Sequence, residues 1–552
     1  MKNPLFDVRV TSPLAKVFPD GEPPEAWGEF TALRGETVSF QVAYRADRGG
    51  SVRLGVVSPL GSAVRVRKVA LVPCEHPAYR WEDASDENYL RKTPGLYPDL
   101  LEELREGQAR CIYKTWQSVW VDVCVTEGMP CGRFPVRVVF TDPQSGTETL
   151  GVGEAFVTVC NATLPELPIM RTEWFHGDCL ADYYKVPVFS EEHWAILERF
   201  IAIAARRDIN MILTPHFTPP LDTARGGERT TIQLVGVTAE KGEYTFDFSN
   251  LERWVAMCRR VGVKYLEMSH LFTQWGAVAA PKVMATVDGE YRRLFGWETP
   301  AVGGEYTRFL HAYLPRLTAK LKAWGIAERT VFHISDEPSL EQYDAYRAAK
   351  DSVAPFLEGF KIVDALSNYA FYERGAVDNP VVAIDHIHAF IEHGAAPLWA
   401  YYCCGQNRTV SNRFMAMPSA RARVYGAQLF KYDIAGALHW GYNFYNSSLS
   451  LRHIDPYRVT DADCAFPAGD PFLVYPGEGG HPEESLRMMT VYHAMTDLRA
   501  LHALAARIGK ERVVAMIEEG LPAPLTFTDY PKDDGYFMAL RNRINLELEK
   551  GT

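Results

Sequence analysis

The sequence lacks a dense run of lysine and arginine. Its 58 basic side chains are outnumbered by 69 acidic ones, which gives a formal net charge of −11. A protein that binds nucleic acid usually carries a basic stripe that neutralises the phosphate backbone. The composition therefore argues against a nucleic-acid partner.

Long hydrophobic runs are also missing. Residues 1–8 lack the continuous apolar stretch of a secretory signal, and no later segment approaches the roughly 18 uninterrupted apolar residues that span a bilayer. We therefore expect a cytoplasmic protein that does not bind membranes. The sequence leaves open whether it forms a homodimer.

The spacings that hold metals, disulfides or phosphates are absent as well. The ten cysteines show no Cys-X-X-Cys spacing, and the adjacent pair Cys403 and Cys404 cannot easily close a disulfide or clamp a tetrahedral metal. No glycine-rich phosphate loop or Gly-X-Ser-X-Gly segment occurs. We therefore expect no cofactor and no metal.

What the chain does have is length and a large apolar fraction. Its 552 residues, 47% of them hydrophobic, exceed the usual size of about 100–200 residues for one domain, so two or three domains are expected. Aromatic residues make up 12% of the chain. Most of these will lie in the core, but the fraction is compatible with flat surfaces on which sugar rings stack.

The N-terminal part alternates apolar and polar residues. In residues 36–44 and 118–125 every second side chain is apolar, which is the pattern of a half-buried strand. Further strands are expected at 51–57, 64–72, 134–141 and 151–160. We therefore predict an antiparallel β-sandwich over residues 1–166. A polar and aromatic insertion at 75–115 is too long for a turn, and such excursions are usually functional or interfacial.

Beyond the proline-containing linker at 161–168 the pattern of apolar residues changes. Eight short apolar runs alternate with helix-like stretches, and they lie near 171–177, 209–215, 263–269, 330–335, 361–367, 381–387, 397–403 and 436–442. This alternation predicts a (β/α)8, TIM-like barrel over 167–482 and a helical C-terminal segment over 483–552 that packs on the barrel. Irregular crossovers near 218–248 and 276–304 leave an open α/β sheet as the alternative.

Polar and aromatic side chains recur where these predicted strands end. The C-terminal strand ends of a barrel surround one pocket, and these residue types suit a carbohydrate, whose rings stack on aromatic faces while polar groups hold its hydroxyls. The candidate sugar-binding residues are His176, Asp178, Trp275, Tyr369, His388, Trp399, Tyr401, Trp440, Tyr442 and Asn443.

The fourth strand end carries two adjacent carboxylates. Residues 331–338 read Val-Phe-His-Ile-Ser-Asp-Glu-Pro. Consecutive side chains diverge at a strand end, so one carboxylate could reach a scissile bond while the other reaches a neighbouring substituent. Asp336 and Glu337 are therefore the candidate catalytic pair. Because Asp, Ser and Pro also favour helix starts, the alternative is that the pair caps the following helix.

Asp385, His386 and His388 present a metal-binding alternative. Two histidines and a carboxylate could ligate a divalent ion together with a further ligand. No further ligand or partner lysine is recognisable, and a histidine beside an aspartate is more often a hydrogen-bonding or packed residue. We therefore favour the sugar-binding interpretation for this cluster.

Three barrel segments carry a family resemblance: Thr-Glu-Trp-Phe-His-Gly-Asp-Cys-Leu at 172–180, His-Ile-Ser-Asp-Glu-Pro at 333–338 and Leu-Trp-Ala-Tyr-Tyr-Cys-Cys at 398–404. Four further segments that carry the same resemblance lie elsewhere in the chain, at 94–101, 117–122, 475–477 and 485–487. Together they resemble glycoside hydrolase family 123, the β-N-acetylgalactosaminidase family, and its wider relatives, over nearly the whole chain. The helix after Arg487 and the loops at 218–248 and 405–417 do not match, and those loops would shape substrate choice.

The resemblance implies an exo-acting, retaining β-N-acetylhexosaminidase with substrate-assisted catalysis. The 2-acetamido oxygen of the substrate would attack the anomeric carbon, so no enzymic nucleophile is needed and adjacent carboxylates suffice. Glu337 would protonate the glycosidic oxygen and later deprotonate water. Asp336 would stay ionised and orient the acetamido group.

The remaining roles in this mechanism fall to the other strand ends. Trp399 or Trp440 would form an aromatic floor, and Tyr401, by the resemblance, would donate a hydrogen bond to the acetamido group. His176 and Asp178 would hold sugar hydroxyls.

Two other functional classes stay open at this point. One is an ordinary two-carboxylate glycosidase that acts on sugars without an acetamido group, with Glu173, Glu267 or Asp385 as its second carboxylate. The other is a carbohydrate-binding protein without activity, although both candidate acids are present.

Overall fold

The computed structural model describes residues 5–24, 26–81 and 85–550. The N-terminal strands are β1 (Phe6–Thr11), β2 (Glu29–Arg34), β3 (Glu36–Ala46), β4 (Gly50–Val57), β5 (Val64–Cys74), β6 (Gly95–Glu103), β7 (Gln108–Cys111), β8 (Gln117–Val125), β9 (Gly132–Thr141) and β10 (Thr149–Thr163). They form two five-stranded sheets, in the orders β1-β3-β8-β5-β6 and β2-β10-β9-β4-β7. Pairing is antiparallel except between β10 and β2, which run parallel.

Alternating apolar side chains fill the space between these two sheets. Phe40 on β3 lies opposite Val121 on β8, and Val42 lies opposite Val119. All four are buried in one cluster with side chains from the second sheet, such as Val157. The predicted N-terminal antiparallel sheets are therefore confirmed, and period two is the signal that revealed them.

The predicted insertion at 75–115 is shorter than expected. Residues Gly95–Glu103 form β6 and pair with β5, and Gln108–Cys111 form β7 and pair with β4. The prediction was wrong there because Pro98 and the acidic residues of β6 obscure its apolar alternation, and this edge strand is recognisable only once it pairs. The segment between β5 and β6 therefore remains as the true excursion.

The later strands are β11 (Met170–Glu173), β12 (Met211–Thr214), β13 (Gly236–Glu240), β14 (Glu243–Asp247), β15 (Tyr265–Met268), β16 (Val283–Val287), β17 (Glu290–Phe295), β18 (Thr330–Phe332), β19 (Lys361–Leu366), β20 (Asn379–Ala383), β21 (Trp399–Tyr401), β22 (Gly436–His439), β23 (Val474–Pro476) and β24 (Pro482–Glu484). The helices are α1 (Gly177–Tyr184), α2 (Glu191–Arg206), α3 (Ser249–Arg260), α4 (Gly304–Ala323), α5 (Tyr343–Val353), α6 (Ala370–Glu373), α7 (Ile387–Glu392), α8 (Ser419–Arg423), α9 (Tyr425–Lys431), α10 (Leu486–Ile508), α11 (Lys510–Glu518) and α12 (Asp534–Glu549).

Eight parallel strands close into a barrel in the order β11-β12-β15-β18-β19-β20-β21-β22. Each coincides with one of the eight predicted apolar runs, and at least one of α1 to α9 lies in each crossover. The open-sheet alternative is therefore wrong. Packing inside the barrel is tight: a Cβ added to Gly436 on β22 would lie 2.1 Å from the ring of Trp399 on β21.

The two irregular crossovers contain extra strands. β13 and β14 follow β12, and β16 and β17 follow β15, and these four strands form one separate sheet in the order β14-β13-β16-β17. These strands are short, and Glu243–Asp247 alternates polar and aromatic residues, a strand signal that the sequence interpretation missed.

The C-terminal helices connect the barrel to the sandwich rather than packing on the barrel alone. Leu486, Met489 and Tyr492 of α10 pack on the outer face of the first sheet, against Trp120. The Arg487 guanidinium forms a buried ion pair with Asp99 on β6, at 2.7 Å. The sandwich is therefore held rigidly against the barrel.

Within the part of the chain that the structure describes, none of the helices has both the length and the apolar character needed to span a bilayer.

Candidate active site

A pocket with about 660 Å³ of empty space opens at the C-terminal end of the barrel. Its walls combine two adjacent acids, a third acid and several aromatic rings. The lining residues are Trp174, Leu221, Asp222, Gln274, Trp275, Asp336, Glu337, Ala365, Tyr401, Cys403, Cys404, Leu438, Trp440 and Phe466. The predicted pair and three of the ten candidate sugar-binding residues, Trp275, Tyr401 and Trp440, are among them.

Asp336 and Glu337 follow β18 and do not cap the next helix. Ser339 is the N-cap of the short helical turn after Pro338, and its backbone N–H donates to Gln342 Oε1 at 2.9 Å. α5 begins only at Tyr343. The helix-cap alternative for the pair is therefore wrong, and both side chains line the pocket instead.

Three pocket-lining residues other than glycine adopt a left-handed backbone conformation. Their φ angles are 42° at Glu337, 60° at Trp275 and 37° at Asp222. Side chains with a Cβ rarely adopt positive φ, and such conformations cluster at functional sites, where the surrounding structure enforces them. Here the Trp275 N–H donates to the Asp336 carbonyl at 2.8 Å, and the Glu337 N–H donates to the Ala365 carbonyl at 3.1 Å.

The Tyr401 hydroxyl at the end of β21 donates a hydrogen bond to Glu337 Oε1 at 2.5 Å. Desolvation at the pocket wall raises the pKa of the Glu337 carboxyl, the Tyr401 hydrogen bond opposes this rise, and the Asp385 carboxylate adds to it. Burial also raises the pKa of Tyr401 well above its usual range, so this hydroxyl stays a neutral donor.

The half-buried Asp336 carboxylate makes no side-chain hydrogen bond to any residue within the described ranges, so its oxygens are free to accept from a ligand. Burial, and then the neighbouring Glu337 carboxylate, raise the pKa of Asp336 well above its ordinary value. The empty pocket therefore makes ionisation of Asp336 less favourable than it is in water. The expectation that Asp336 acts in its ionised form stays a prediction.

A buried charged network lies beneath the pair. His333 Nε2 is 2.6 Å from Glu267 Oε1, and His333 Nδ1 is 3.3 Å from Asp364 Oδ1. Burial alone would lower the pKa of His333, but hydrogen bonds to both carboxylates raise it to about 10. Its positive charge opposes the rise in the pKa of Asp336.

Asp364 also positions the chain that leads to the pair. Its Oδ1 accepts hydrogen bonds from the backbone N–H groups of Ile334, at 2.9 Å, and Ser335, at 3.3 Å. Tyr346 on α5 donates to its other oxygen. A fully satisfied buried network of this kind rigidifies the segment it binds.

Four aromatic residues form much of the pocket wall. Trp440 donates from Nε1 to Asp470 at 2.8 Å, and its ring packs edge-on against Phe466 at 5.4 Å. Trp174 donates from Nε1 to Glu267 at 2.8 Å. Trp275 is 42% exposed at the mouth. Anchored indoles with one open face suit the stacking of a sugar ring.

Asp222 and Gln274 are pocket residues that sequence reasoning missed. The Asp222 N–H donates to Gln274 Oε1 at 2.7 Å, and Asp222 Oδ2 accepts from the Leu449 N–H at 3.0 Å. Burial raises the pKa of Asp222 to about 6. Asp222 lies in a loop eight residues beyond β12, too far from any strand end for the sequence pattern to single it out.

His176 and Asp178 lie beneath the pocket and do not line it. Asp178 forms a buried bidentate ion pair with Arg229, with both N···O distances at 2.8 Å. His176 Nδ1 is 3.1 Å from Arg229 Nη2, and burial together with this guanidinium lowers the pKa of His176 to about 3. These two residues therefore do not face the pocket as predicted. Arg229 already binds both side chains and holds them behind the pocket wall.

Trp399, Tyr442 and Asn443 are also buried away from the lining. The Trp399 ring packs inside the barrel against Gly436. The Tyr442 hydroxyl donates to the Phe200 carbonyl at 2.9 Å, and Asn443 accepts from the His176 N–H at 2.9 Å. Tyr442 and Asn443 follow the end of β22, whereas Trp399 begins β21 rather than ending it, and all three side chains are buried.

Tyr369 and His388 lie outside the pocket on the neighbouring crossovers. Tyr369 stacks on His393 with ring centroids 4.8 Å apart. The His388 side chain is 84% exposed on α7, close to Glu392. The described residues contain no group of three His, Cys, Asp or Glu side chains placed to hold a metal ion, so the metal-binding alternative for Asp385, His386 and His388 has no support.

The structure also shows where the three residues considered as the second carboxylate of a two-carboxylate glycosidase lie. Glu173 is buried between Arg171 and Arg413, at 2.8 and 2.7 Å. Glu267 is buried in the network with His333. Asp385 accepts from Gln406 at 2.9 Å and does not line the pocket. In the lining, Asp222 is therefore the carboxylate that accompanies the pair.

Comparison with known proteins gives one family. A family model described as the catalytic domain of glycoside hydrolase 123 matches residues 174–504. None of the curated protein sequences matches this chain. A solved structure of a family 123 glycoside hydrolase from Clostridium perfringens, whose study concerns glycolipid glycan hydrolysis, is similar over 99% of this chain and 98% of its own, with a TM-score of 0.73 and 13% identity.

Two other solved structures are much less similar. A β-glucuronidase from Bifidobacterium dentium shares 10% identity over 96% of this chain and 68% of its own, with a TM-score of 0.32. A family 5 mannosidase from Rhizomucor miehei shares 11% identity over 60% of this chain and 92% of its own, also with a TM-score of 0.32. These scores are too low to indicate a common fold over the matched length.

Proposed function

This chain belongs to the glycoside hydrolase 123 family, and from that premise we propose that it is a retaining, exo-acting β-N-acetylhexosaminidase that uses substrate-assisted catalysis. The observation that carries the proposal is the pair of adjacent carboxylates, Asp336 and Glu337, in one aromatic pocket. Neighbouring residues cannot readily lie on opposite faces of a sugar ring, as the acid and the enzymic nucleophile of an ordinary retaining glycosidase must. A nucleophile supplied by the substrate removes this requirement.

Glu337 is proposed as the general acid and base. Its raised pKa makes the protonated form, which can protonate the glycosidic oxygen, more accessible than for a glutamate in water. The Tyr401 hydroxyl holds Oε1, which leaves the other carboxyl oxygen to face the scissile bond. After the leaving group departs, the Glu337 carboxylate would take a proton from the attacking water.

Asp336 is proposed to bind the acetamido group. Its carboxylate has no side-chain hydrogen bond to a described residue, and an acetamido N–H is a matching donor. As the acetamido oxygen attacks, positive charge develops on the ring that forms, and this charge favours the anionic form that the empty pocket disfavours. The interaction therefore strengthens in the transition state, which is the condition for catalysis.

The remaining lining groups suit a sugar ring. Trp174, Trp275 and Trp440 offer aromatic faces, while Asp222 and Gln274 offer hydrogen-bonding groups for hydroxyls. The Asp222 N–H donates to the Gln274 side chain, and the Asp222 carboxylate accepts from the Leu449 N–H. These two hydrogen bonds hold the carboxylate in place before a substrate arrives. We infer that this side of the pocket recognises the hydroxyl pattern of the terminal sugar.

One observation favours a second candidate function. Because Asp222 is a further carboxylate in the pocket, it could serve as the nucleophile of an ordinary retaining glycosidase that acts on sugars without an acetamido group. Its pKa of about 6 leaves a substantial neutral fraction near pH 6, which a carboxylate nucleophile must avoid. We therefore rank this candidate second.

A panel of chromogenic β-glycosides tests the proposal. We expect hydrolysis of β-N-acetylgalactosaminide or β-N-acetylglucosaminide and rates at least about 100-fold lower on the matching β-galactoside and β-glucoside, because the latter lack the internal nucleophile. Comparable hydrolysis of the plain hexosides would support the Asp222 mechanism. No hydrolysis of any substrate, with sugar binding retained, would favour a carbohydrate-binding protein.

The Tyr401→Phe variant tests the hydrogen bond to Glu337 through the pH profile. The Tyr401 hydroxyl stabilises the Glu337 carboxylate and so lowers its pKa. Its removal should raise that pKa, and because the general acid must be protonated, the alkaline limb of kcat/KM should move to higher pH. We expect the maximum rate to fall by roughly 10-fold as well.

Tyr369→Phe is the matched control, since Tyr369 does not line the pocket. Its profile should match that of the wild-type enzyme. An alkaline limb in Tyr401→Phe that stays in place, or moves to lower pH, would contradict the role assigned to this hydroxyl.

A further inference from the structure

An exposed indole from the sandwich domain lies next to the pocket. Trp81 follows β5, and 61% of its surface is exposed. Its ring is nevertheless ordered against a neighbour, because it stacks on Tyr79 with ring centroids 4.1 Å apart and an angle of 26° between the rings. We name Trp81 together with Tyr79 the aromatic ledge.

The aromatic ledge is continuous with the wall of the pocket. The carbonyl of His76, which packs against Tyr79, accepts a hydrogen bond from the Ala468 N–H at 2.8 Å, and Phe466, two residues before Ala468, lines the pocket. Burial, and then the nearby Cys404 of the pocket lining, raise the pKa of Tyr79. Behind the ledge, the Tyr79 ring packs edge-on against His76 at 5.4 Å. One face of the ledge is therefore buried against the barrel while the Trp81 indole remains open.

Hydrogen bonds fix both ends of the segment that carries the ledge. On one side the His76 N–H donates to Asp461 Oδ2 at 3.0 Å. On the other side Asp86 accepts from the Arg421 guanidinium at 2.8 Å and from the Thr409 N–H at 2.6 Å. Each contact joins a described residue of the sandwich excursion to a loop of the barrel mouth.

The ledge lies beyond the pocket that the terminal sugar would fill. Cys404, which influences the pKa of Tyr79, follows Tyr401 by three residues in the loop after β21. Tyr401 in turn binds Glu337, the proposed acid. In an exo-acting enzyme the part of the substrate that extends beyond the pocket is the leaving group, so a surface at this edge faces the leaving group.

Trp81 presents an exposed indole that stacks on Tyr79. Its flat, apolar face and its position beyond the terminal-sugar pocket suit the C–H face of a pyranose ring, for which stacking on an indole is the usual contact. We propose that the aromatic ledge is the subsite for the leaving-group sugar, the hexose to which the terminal N-acetylhexosamine is attached. This inference rests on the proposed function, because it assumes that a terminal sugar occupies the pocket.

The test compares two substrates that differ only in the leaving group. The first is a disaccharide with a β-linked N-acetylhexosamine on a hexose, and the second is the corresponding N-acetylhexosaminyl fluoride, whose leaving group is too small to reach the ledge. Trp81→Ala should lower kcat/KM on the disaccharide about 10-fold and change it less than about twofold on the fluoride. Trp81→Phe should recover part of the loss, since it keeps an aromatic face.

Tyr291→Ala is the matched control, because Tyr291 is an equally exposed aromatic residue, at 65%, on β17 and outside the pocket. It should leave both substrates unaffected. Equal losses of Trp81→Ala on the disaccharide and the fluoride, or no loss on either, would overturn the subsite.

A binding measurement separates this inference from the proposed function. In the Glu337→Gln background, calorimetric titration with the disaccharide should show about 10-fold weaker binding when Trp81→Ala is added, while the free N-acetylhexosamine binds equally to both variants. If the wild-type chain hydrolyses neither substrate, the proposed function fails, yet this titration still decides whether the ledge binds the second sugar. Equal disaccharide affinity in the two variants would reject the ledge whatever the activity.

Discussion

Glu337→Gln is expected to lower kcat/KM on a disaccharide substrate by roughly 10²–10⁴-fold, which is the usual contribution of a positioned general acid. The amide keeps the shape of the side chain and can still meet the Tyr401 hydroxyl, but it cannot give up a proton. The measurement is steady-state hydrolysis of a disaccharide beside that of an activated aryl glycoside. The loss should be smaller on the aryl glycoside, whose leaving group needs little protonation.

The same variant should lose the alkaline limb of its pH profile. Protonated Glu337 is required for glycosidic cleavage, so wild-type activity should decline as pH rises through its raised pKa. A glutamine does not titrate, and the residual activity should therefore be flat across that range. Near-full activity on the disaccharide would remove Glu337 from the mechanism.

Glu341→Gln provides the matched control for this substitution. Glu341 is an exposed carboxylate in the helical turn directly after the pair, and it does not line the pocket. Neither variant should change the free energy of unfolding by more than about 0.5 kcal/mol, because Ser339 rather than Glu337 caps the turn. A selective kinetic loss in Glu337→Gln thus separates catalysis from stability.

Asp336→Asn is expected to abolish the preference for a cyclised inhibitor. A thiazoline derived from an N-acetylhexosamine imitates the intermediate of substrate-assisted catalysis, and the wild-type protein should bind it at least about 10²-fold more tightly than the free sugar. The anionic Asp336 stabilises the positive charge of that ring, whereas asparagine cannot. The variant should therefore bind the thiazoline little better than the free sugar, with the affinity for the free sugar nearly unchanged.

Asp222→Asn distinguishes this effect from a general loss of sugar binding. If Asp222 holds sugar hydroxyls, its variant should weaken the thiazoline and the free sugar by the same factor, since both ligands carry the same hydroxyls. Isothermal titration of both ligands against both variants makes the comparison. A selective loss of thiazoline affinity in Asp222→Asn, with none in Asp336→Asn, would reverse the two assignments.

A reagent that forms a covalent glycosyl-enzyme tests the alternative mechanism. A 2-fluoro glycosyl fluoride accumulates as a glycosyl-enzyme ester only when the enzyme supplies a carboxylate nucleophile. Mass spectrometry of the intact protein should detect no adduct if the acetamido group is the nucleophile. An adduct that peptide mapping assigns to Asp222 would replace substrate-assisted catalysis with the ordinary retaining mechanism.

The buried network beneath the pair acts on Asp336 in two opposite directions. Burial, and then the neighbouring Glu337 carboxylate, raise the pKa of Asp336. The His333 cation, held between two carboxylates in the layer below, lowers that pKa, whereas Asp364, one of those carboxylates, raises it.

Local sequence pattern determined the order and type of the elements. Period two in residues 36–44 revealed a sandwich strand, and each of the eight apolar runs contains a barrel strand, because strands covered on both faces of a parallel sheet are mostly apolar. The position of Asp336 and Glu337 at the end of the fourth run was equally visible. These features depend on neighbours along the chain, and the sequence contains those neighbours.

Only the tertiary structure decided which strand-end side chains reach the pocket. The barrel strands that carry candidates are as short as Trp399–Tyr401, so the direction of the next side chain depends on the turn that follows. Positive φ angles aim Trp275 and Asp222 into the pocket, whereas the ion pair with Arg229 draws Asp178 beneath it. Those directions follow from contacts between residues far apart in the sequence, which no local pattern encodes.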